Sequence, residues 1–239
     1  MEELSFAVLP RLIQGSRASS MSLQVATQDS SALSETQIEE MLSIEGAFGL
    51  AQFQKAQTDW VLCTLARIDG KLHGVTFSTL ERIGGTPCVL IGLMTVKRSS
   101  KRDTVLKGLM AEAYHRALMA FPDEDVVVGS RFAGPDGVEA FKSLTEMIPR
   151  AGHRAVGEER AWGKRLARRF GVDGKYDDKT FVVASDGQSG FLDFESSKPE
   201  KISADITSLF ETVNAKKGGV LIVHGWTMAE SLVKLGARS

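Results

Sequence analysis

The stretch Leu90-Ile91-Gly92-Leu93-Met94-Thr95-Val96-Lys97-Arg98-Ser99-Ser100-Lys101-Arg102-Asp103-Thr104-Val105-Leu106 decides how the rest of the chain is read. Its first half closes an apolar run that begins at Pro87, the pattern of a strand covered on both faces. Its second half turns polar and basic. Leu106, Leu109, Met110, Ala113, Tyr114, Ala117, Leu118 and Phe121 then follow at helical spacing, closed by Pro122. Residues 100–103 can cap the helix start, where Asp103 also suits the positive end of the helix dipole. Beyond the helix, Val126-Val127-Val128 reads as a short buried strand. Strand, helix and strand in that order imply a parallel pair joined by a right-handed crossover.

Toward the N-terminus, Gly84-Gly85 turns the chain, and Leu72, Val75, Phe77 and Leu80 mark a strand before it. Asp69-Gly70 is a hairpin signal, because a type I′ turn needs positive φ at both central positions. Residues 60–68 form the preceding strand, so three strands make an antiparallel meander. Ser34-Glu35-Thr36-Gln37 fits a capping box and opens a helical pattern through Ile38, Met41 and Leu42, which Gly46 and Gly49 divide in two. The first thirty residues, with Phe6, Val8, Leu9, Leu12 and Ile13, read as a strand or a loose segment.

Toward the C-terminus, residues 137–144 read as a short helix, and residues 158–170 as an amphipathic one with Trp162, Leu166 and Phe170 on one face and Gly171 as its stop. Phe181-Val182-Val183 and Phe191-Leu192 flank Asp186-Gly187 as an expected hairpin. Ile202, Ile206, Leu209, Phe210 and Val213 predict a helix, residues 220–223 a strand and residues 228–235 a last helix. Ser196-Ser197-Lys198-Pro199 is the best linker candidate, but it is short. The expectation is an α/β (α+β) fold in a single domain over residues 1–239, with a mixed central sheet and flanking helices.

The composition bounds the function. In 239 residues, 29 Lys+Arg oppose 30 Asp+Glu, a net charge of −1, with 43% hydrophobic residues. This is a globular composition, and its charge excludes bulk attraction to polyanions. The balance is local, however. Lys97, Arg98, Lys101, Arg102 and Lys107 oppose only Asp103. Arg150, Arg154, Arg160, Lys164, Arg165, Arg168 and Arg169 oppose only Glu158 and Glu159. Cys63 and Cys88 lie in apolar runs and read as buried thiols. His73, His115, His153 and His224 lack ligand spacing, so no metal is expected. The acidic N-terminus and the absence of an apolar run long enough to cross a bilayer point to a cytoplasmic protein without a membrane partner.

The order of helix, meander, long helix, strand and helix over residues 34–157 resembles the GNAT acyltransferase superfamily. That family runs a central strand into V-x-x-x-x-R/Q-x-x-G-x-G/A at the start of the next helix. Here Val96 ends the strand, Lys101 or Arg102 stands at the basic position, and Thr104 and Leu106 stand where glycines are usual. The segment Gly152-His153-Arg154-Ala155-Val156-Gly157 matches a shorter family signature, with His153 replacing an aromatic. The resemblance implies a GNAT-like core over residues 34–157 and an extension, 158–239, that completes or covers the sheet.

It further implies acetyl-CoA or another acyl-CoA as co-substrate, without a metal, and a small-molecule or peptide amine as acceptor. Met94, Val96, Lys101, Arg102, Asp103, Thr104 and Val105 would bind the co-substrate. Free N–H groups at a helix start favour phosphates, and glycines, absent here, let the backbone approach closely. The amine would attack the thioester directly, a base would take its proton, and a strand N–H would polarise the carbonyl. Glu81 is the nearest candidate base, and Ser130 and Arg131 would line the cleft. The family's tyrosine acid has no counterpart, since Phe141 stands about there. These departures equally suit a non-catalytic binding or assembly module of the same fold. Nucleic-acid binding through the basic stretches is a lesser alternative.

Overall fold

Asp69 and Gly70 take φ values of 49° and 82°, and Gly84 and Gly85 take 61° and 89°. These two turns fold three strands into the expected meander: β2 (Leu62–Ile68), β3 (Lys71–Ile83) and β4 (Thr86–Val96), all antiparallel. The computed structural model describes residues 22–44, 48–184, 192–193 and 202–237. The patterning from Phe6 to Ile13, the Asp186-Gly187 turn and the linker candidate lie outside the described residues. A strand, β1 (Leu23–Asp29), lies just after the first of these and pairs along its full length with β2.

The capping box forms as read. Gln37 N donates to Ser34 Oγ at 3.2 Å and Ser34 N donates to Gln37 Oε1 at 2.9 Å, opening α1 (Glu35–Leu42). Gly49 caps a second helix, α2 (Leu50–Asp59). After β4 comes α3 (Arg102–Ala120), then β5 (Val126–Phe132), which runs parallel to β4. The strand–helix–strand crossover is therefore present. β5 is longer than its three valines suggested, because Gly129 to Phe132 continue against a distant strand.

That strand is β9 (Val220–Thr227), whose outer edge carries β6 (Glu146–Ile148) and β7 (Val182–Val183). β8 (Leu192–Asp193) pairs instead with β4. The sheet order is β1-β2-β3-β4-β5-β9-β6. The extension thus supplies a strand inside the sheet. The expected hairpin of residues 181–192 is corrected: its two arms join different strands. Two-residue arms carry too little local pairing to prefer each other over long strands with open edges.

Three further expectations change. α3 begins after Lys101, and Ser99 Oγ, not a residue of 100–103, accepts from Lys101 N at 3.2 Å. Residues 137–144 hold α4 (Pro135–Val138) and a single tight turn over Glu139–Phe141. The helix expected from Ile202 shortens to α6 (Ala204–Ser208), after which Phe210, Glu211 and Val213 bond three residues back rather than four. The basic helix α5 (Gly157–Arg169) and the last helix α7 (Ala229–Leu235) stand where the patterning placed them, and Gly171 follows α5 at φ 72°.

Helices cover both faces. On one, Val89, Ile91, Met94 and Val96 pack under Val105, Leu106, Leu109 and Tyr114 of α3. On the other, Cys88, Leu90 and Leu93 pack with Phe53 of α2, Trp60, and Trp162 and Leu166 of α5. The alternation slips by one between Ile91 and Leu93. Ser78 pairs with Ile91 and Phe77 with Leu93, leaving Gly92 as the extra residue of a β-bulge. Cys63 and Cys88 are buried free thiols, which burial pushes up to about 12 and about 11.

Candidate functional site

Parallel pairing of β4 with β5 lasts only three residue pairs, from Cys88↔Val127 to Leu90↔Gly129. Beyond them β4 continues to Val96 along β3, while β5 continues along β9. The two strands therefore part just before the Gly92 bulge. Ser130 stands at the parting. It is fully buried, and its Oγ donates to the Ile91 carbonyl at 2.8 Å. The hydroxyl proton is thus committed to holding β5 against β4. Ser130→Ala is expected to cost about 1–2 kcal/mol, measured by urea denaturation, because the Ile91 carbonyl loses a buried donor. A change within error would contradict this role.

Past the parting, the edge of β4 that faces β5 is taken by β8, with Met94↔Leu192 and Thr95↔Asp193 in parallel register. β3 holds the opposite edge at the same two residues. The side chains of Met94 and Val96 are buried under α3, so only their backbone can face the gap.

The β4–α3 turn is electropositive. Lys97, Arg98 and Lys101 are exposed and have no ion pair among the described residues. Arg102 behaves differently. It is buried, donates to Asp103 Oδ1 at 2.7 Å, and pairs with Glu139. Its charge anchors α3 to the turn after α4, and it neutralises Asp103, which otherwise would repel an anion at the helix start. Thr104 is exposed and Val105 is fully buried. Glycine serves α3 elsewhere: a Cβ on Gly74 of β3 would stand 2.6 Å from Val105 Cγ1, so that glycine lets the helix approach the sheet.

Glu81 is not brought to this place. It pairs with Cys88 in the β3–β4 ladder, six residues before Met94, or about 20 Å along a strand. Both its oxygens are engaged by Arg169, at 2.6 Å from Nε and 3.1 Å from Nη2. Arg131 is buried on the α5 side, with its guanidinium 5.6 Å from the centre of the Phe170 ring. Tyr114 lies in the core, its phenol 3.4 Å from Ser143 Oγ and pushed up to about 12 by burial. Phe141 is fully buried edge-on against Phe132.

Two features of the site were not drawn from the sequence. One is the Gly92 bulge, although an isolated glycine in an apolar strand is a bulge signal. The other is Trp60, whose ring covers Gly92 on one side and meets Phe170 at 6.1 Å and the Arg169 guanidinium at 5.5 Å. Among the described residues, no group of His, Cys, Asp and Glu could hold a metal ion, and no helix is long and apolar enough to cross a membrane.

No family model and no curated protein matches the chain. Among solved structures it is similar to Escherichia coli ElaA, at 17% identity over 57% of this chain and 95% of that one, with a TM-score of 0.37. It is similar to an aminoglycoside acetyltransferase from an uncultured soil metagenomic sample, in complex with sisomicin, at 14% identity over 44% and 76%, with a TM-score of 0.34. A GNAT-family acetyltransferase from Streptococcus pneumoniae overlaps at 12% identity over 55% and 90%, with a TM-score of 0.34. The chain's own meander, crossover helix and parting parallel pair form a mixed α/β sheet with flanking helices, the fold class expected from the sequence.

Proposed function

We propose that the protein is an acyl-CoA-dependent N-acyltransferase acting on a small-molecule or peptide amine. The observation that carries this reading is the parting of β4 from β5 beside an unpaired basic turn. The parting frees the β4 edge from β5, and in this reading β8 leaves that edge so that its backbone can hydrogen-bond an extended acyl-thioester arm. The cations of Lys97, Arg98 and Lys101, with the first N–H groups of α3, suit phosphates at its far end. In this reading the backbone of Met94 and Val96 binds the arm, and Lys101, Thr104 and Val105 contribute at the helix start. Arg102 and Asp103 act as a positioning pair there. The amine attacks the thioester carbonyl, the C–S bond breaks, the thiol leaves, and the amine proton passes to solvent or to a base. Glu81, held by Arg169, is not the group this reading relies on.

A second reading is favoured by one observation. β8 occupies the β4 edge that an acyl-CoA arm would use, which suits a non-catalytic binding or assembly module. Calorimetric titration with acetyl-CoA and longer acyl-CoAs, followed by thiol release with a panel of amines, separates the two. The proposal expects saturable binding, about tenfold weaker after Lys97, Arg98 and Lys101 are replaced by Ala, and thiol release with at least one amine. Binding without thiol release from any amine favours the module. No binding at millimolar ligand contradicts the acyl-CoA reading.

A further inference from the structure

On the far side of β9 from β4 and β5, a cavity of about 300 Å³ lies between the turn after β6, the start of α5 and the turn before β7. Its walls carry His153, Arg154, Arg160 and Lys179, over Pro149 and Phe181. Three inter-strand spacings separate β6 from β4, about 14 Å, so this place is distinct from the β4–β5 parting.

The charges around it can be counted. His153 Nε2 meets both oxygens of Glu159, at 2.9 and 2.8 Å. Burial alone would raise Glu159, but His153 and the Val156 N–H outweigh it and hold the carboxyl below its ordinary value. Arg160 donates from Nη2 to Asp178 at 2.8 Å. Asp177 accepts the backbone N–H groups of Lys179 and Thr180 at 2.7 and 3.3 Å. Glu158 is exposed in the first turn of α5. Arg154 and Lys179 are exposed and have no ion pair among the described residues. Every ionisable side chain on the wall is basic.

Two independent observations accompany that charge. The Arg160 Nε–H is buried without a hydrogen-bond partner, although Arg160 lines the cavity. The exposed cations of Arg154 and Lys179, beside the Arg160 guanidinium, are donors of the kind a carboxylate or phosphate accepts. Phe181 stands at φ 62°, a conformation that bulky residues rarely hold. Its ring packs between Tyr176 at 6.3 Å and His224 at 6.1 Å, whose polar atoms are also buried without partners. Phe181 lines the cavity, so a strained backbone position stands in its wall, and such strain clusters at functional places.

We infer that this cavity binds a small molecule bearing a carboxylate or phosphate group, held between Arg154, Lys179 and Arg160. The volume lies at the small end of ligand pockets, so the ligand is of small-metabolite size. The site is independent of the acyl-CoA reading.

Calorimetric titration of the full chain with inorganic phosphate and, separately, with citrate tests the inference. At least one anion should bind saturably, and which of them does so assigns the ligand's acidic group. Arg154→Ala and Lys179→Glu should each weaken binding about tenfold or more. Both residues are exposed, so their melting curves without ligand should match the parent. A triple alanine variant at Lys97, Arg98 and Lys101 should retain the binding that Arg154→Ala and Lys179→Glu weaken, which separates this site from the α3 start. The inference is overturned if neither anion binds at tens of millimolar, if Lys179→Glu leaves affinity unchanged, or if the triple variant abolishes binding.

Discussion

Gly92→Val is expected to destabilise the fold by about 3–4 kcal/mol, among the larger effects of a single core substitution. A Cβ at this position would stand 1.8 Å from Trp60 Cε2 and 2.2 Å from Nε1. No rotamer of the new side chain avoids that contact, because the Cβ itself makes it. The indole has little room to yield. Trp60 is 5% exposed, with Phe170 and the Arg169 guanidinium against it. Displacing it also disturbs Arg169, which holds Glu81. Urea denaturation should show the loss, and the cost of Gly92→Ala should fall markedly in a Trp60→Ala background. Additive effects in that double-mutant cycle would mean that the ring does not set the requirement for glycine.

The second large effect is with pH. His224 on β9 is 1% exposed, both ring nitrogens lack a hydrogen-bond partner, and burial pushes the imidazole down to about 4 against the weaker pull of Glu159. The unfolded chain takes up this proton near pH 6.5, whereas the folded chain does not until about 4. Across that window the unfolded state binds more protons, so stability falls as pH drops from 6.5 toward 4 and is complete above 6.5. The difference, 6.5 − 4, corresponds to about 3 kcal/mol. His73, lowered by burial and by Lys97, adds in the same direction. Denaturation midpoints of the parent and of His224→Phe separate the two. The variant should lose most of the slope between pH 4 and 6.5. Parallel curves would show that His224 is not the group responsible.

The sequence made the middle of the fold readable for a physical reason. From Ser34 to Phe121, local chemistry and tertiary structure agree: the capping box, the two glycine-bearing turns and the α3 stripe each favour what the core also favours. The C-terminal third is different. Val220 to Val223 signalled a strand, yet nothing local tells such a run that it will insert between β5 and β6. Phe181-Val182-Val183 and Leu192 are too short to choose partners by themselves. The candidate site divides in the same way. The basic turn of Lys97, Arg98 and Lys101 was legible because charge density is a property of the sequence. The burial of Arg102 against Glu139 was not, because it depends on where α4 returns to α3. Ser130 reads from the sequence only as a strand-end residue lining a cleft, and its bond to Ile91 follows from the register of two strands that part.

The acyl-CoA reading requires the β4 edge beyond the parting to receive the co-substrate. Amide hydrogen exchange of β4, read with and without saturating acetyl-CoA, measures that directly. Protection should change at residues 91–96 and at the first turn of α3, with β2 and the β3 residues near Glu81 unaltered. Saturating acetyl-CoA that leaves the exchange of residues 91–96 and of the α3 start unchanged would contradict it.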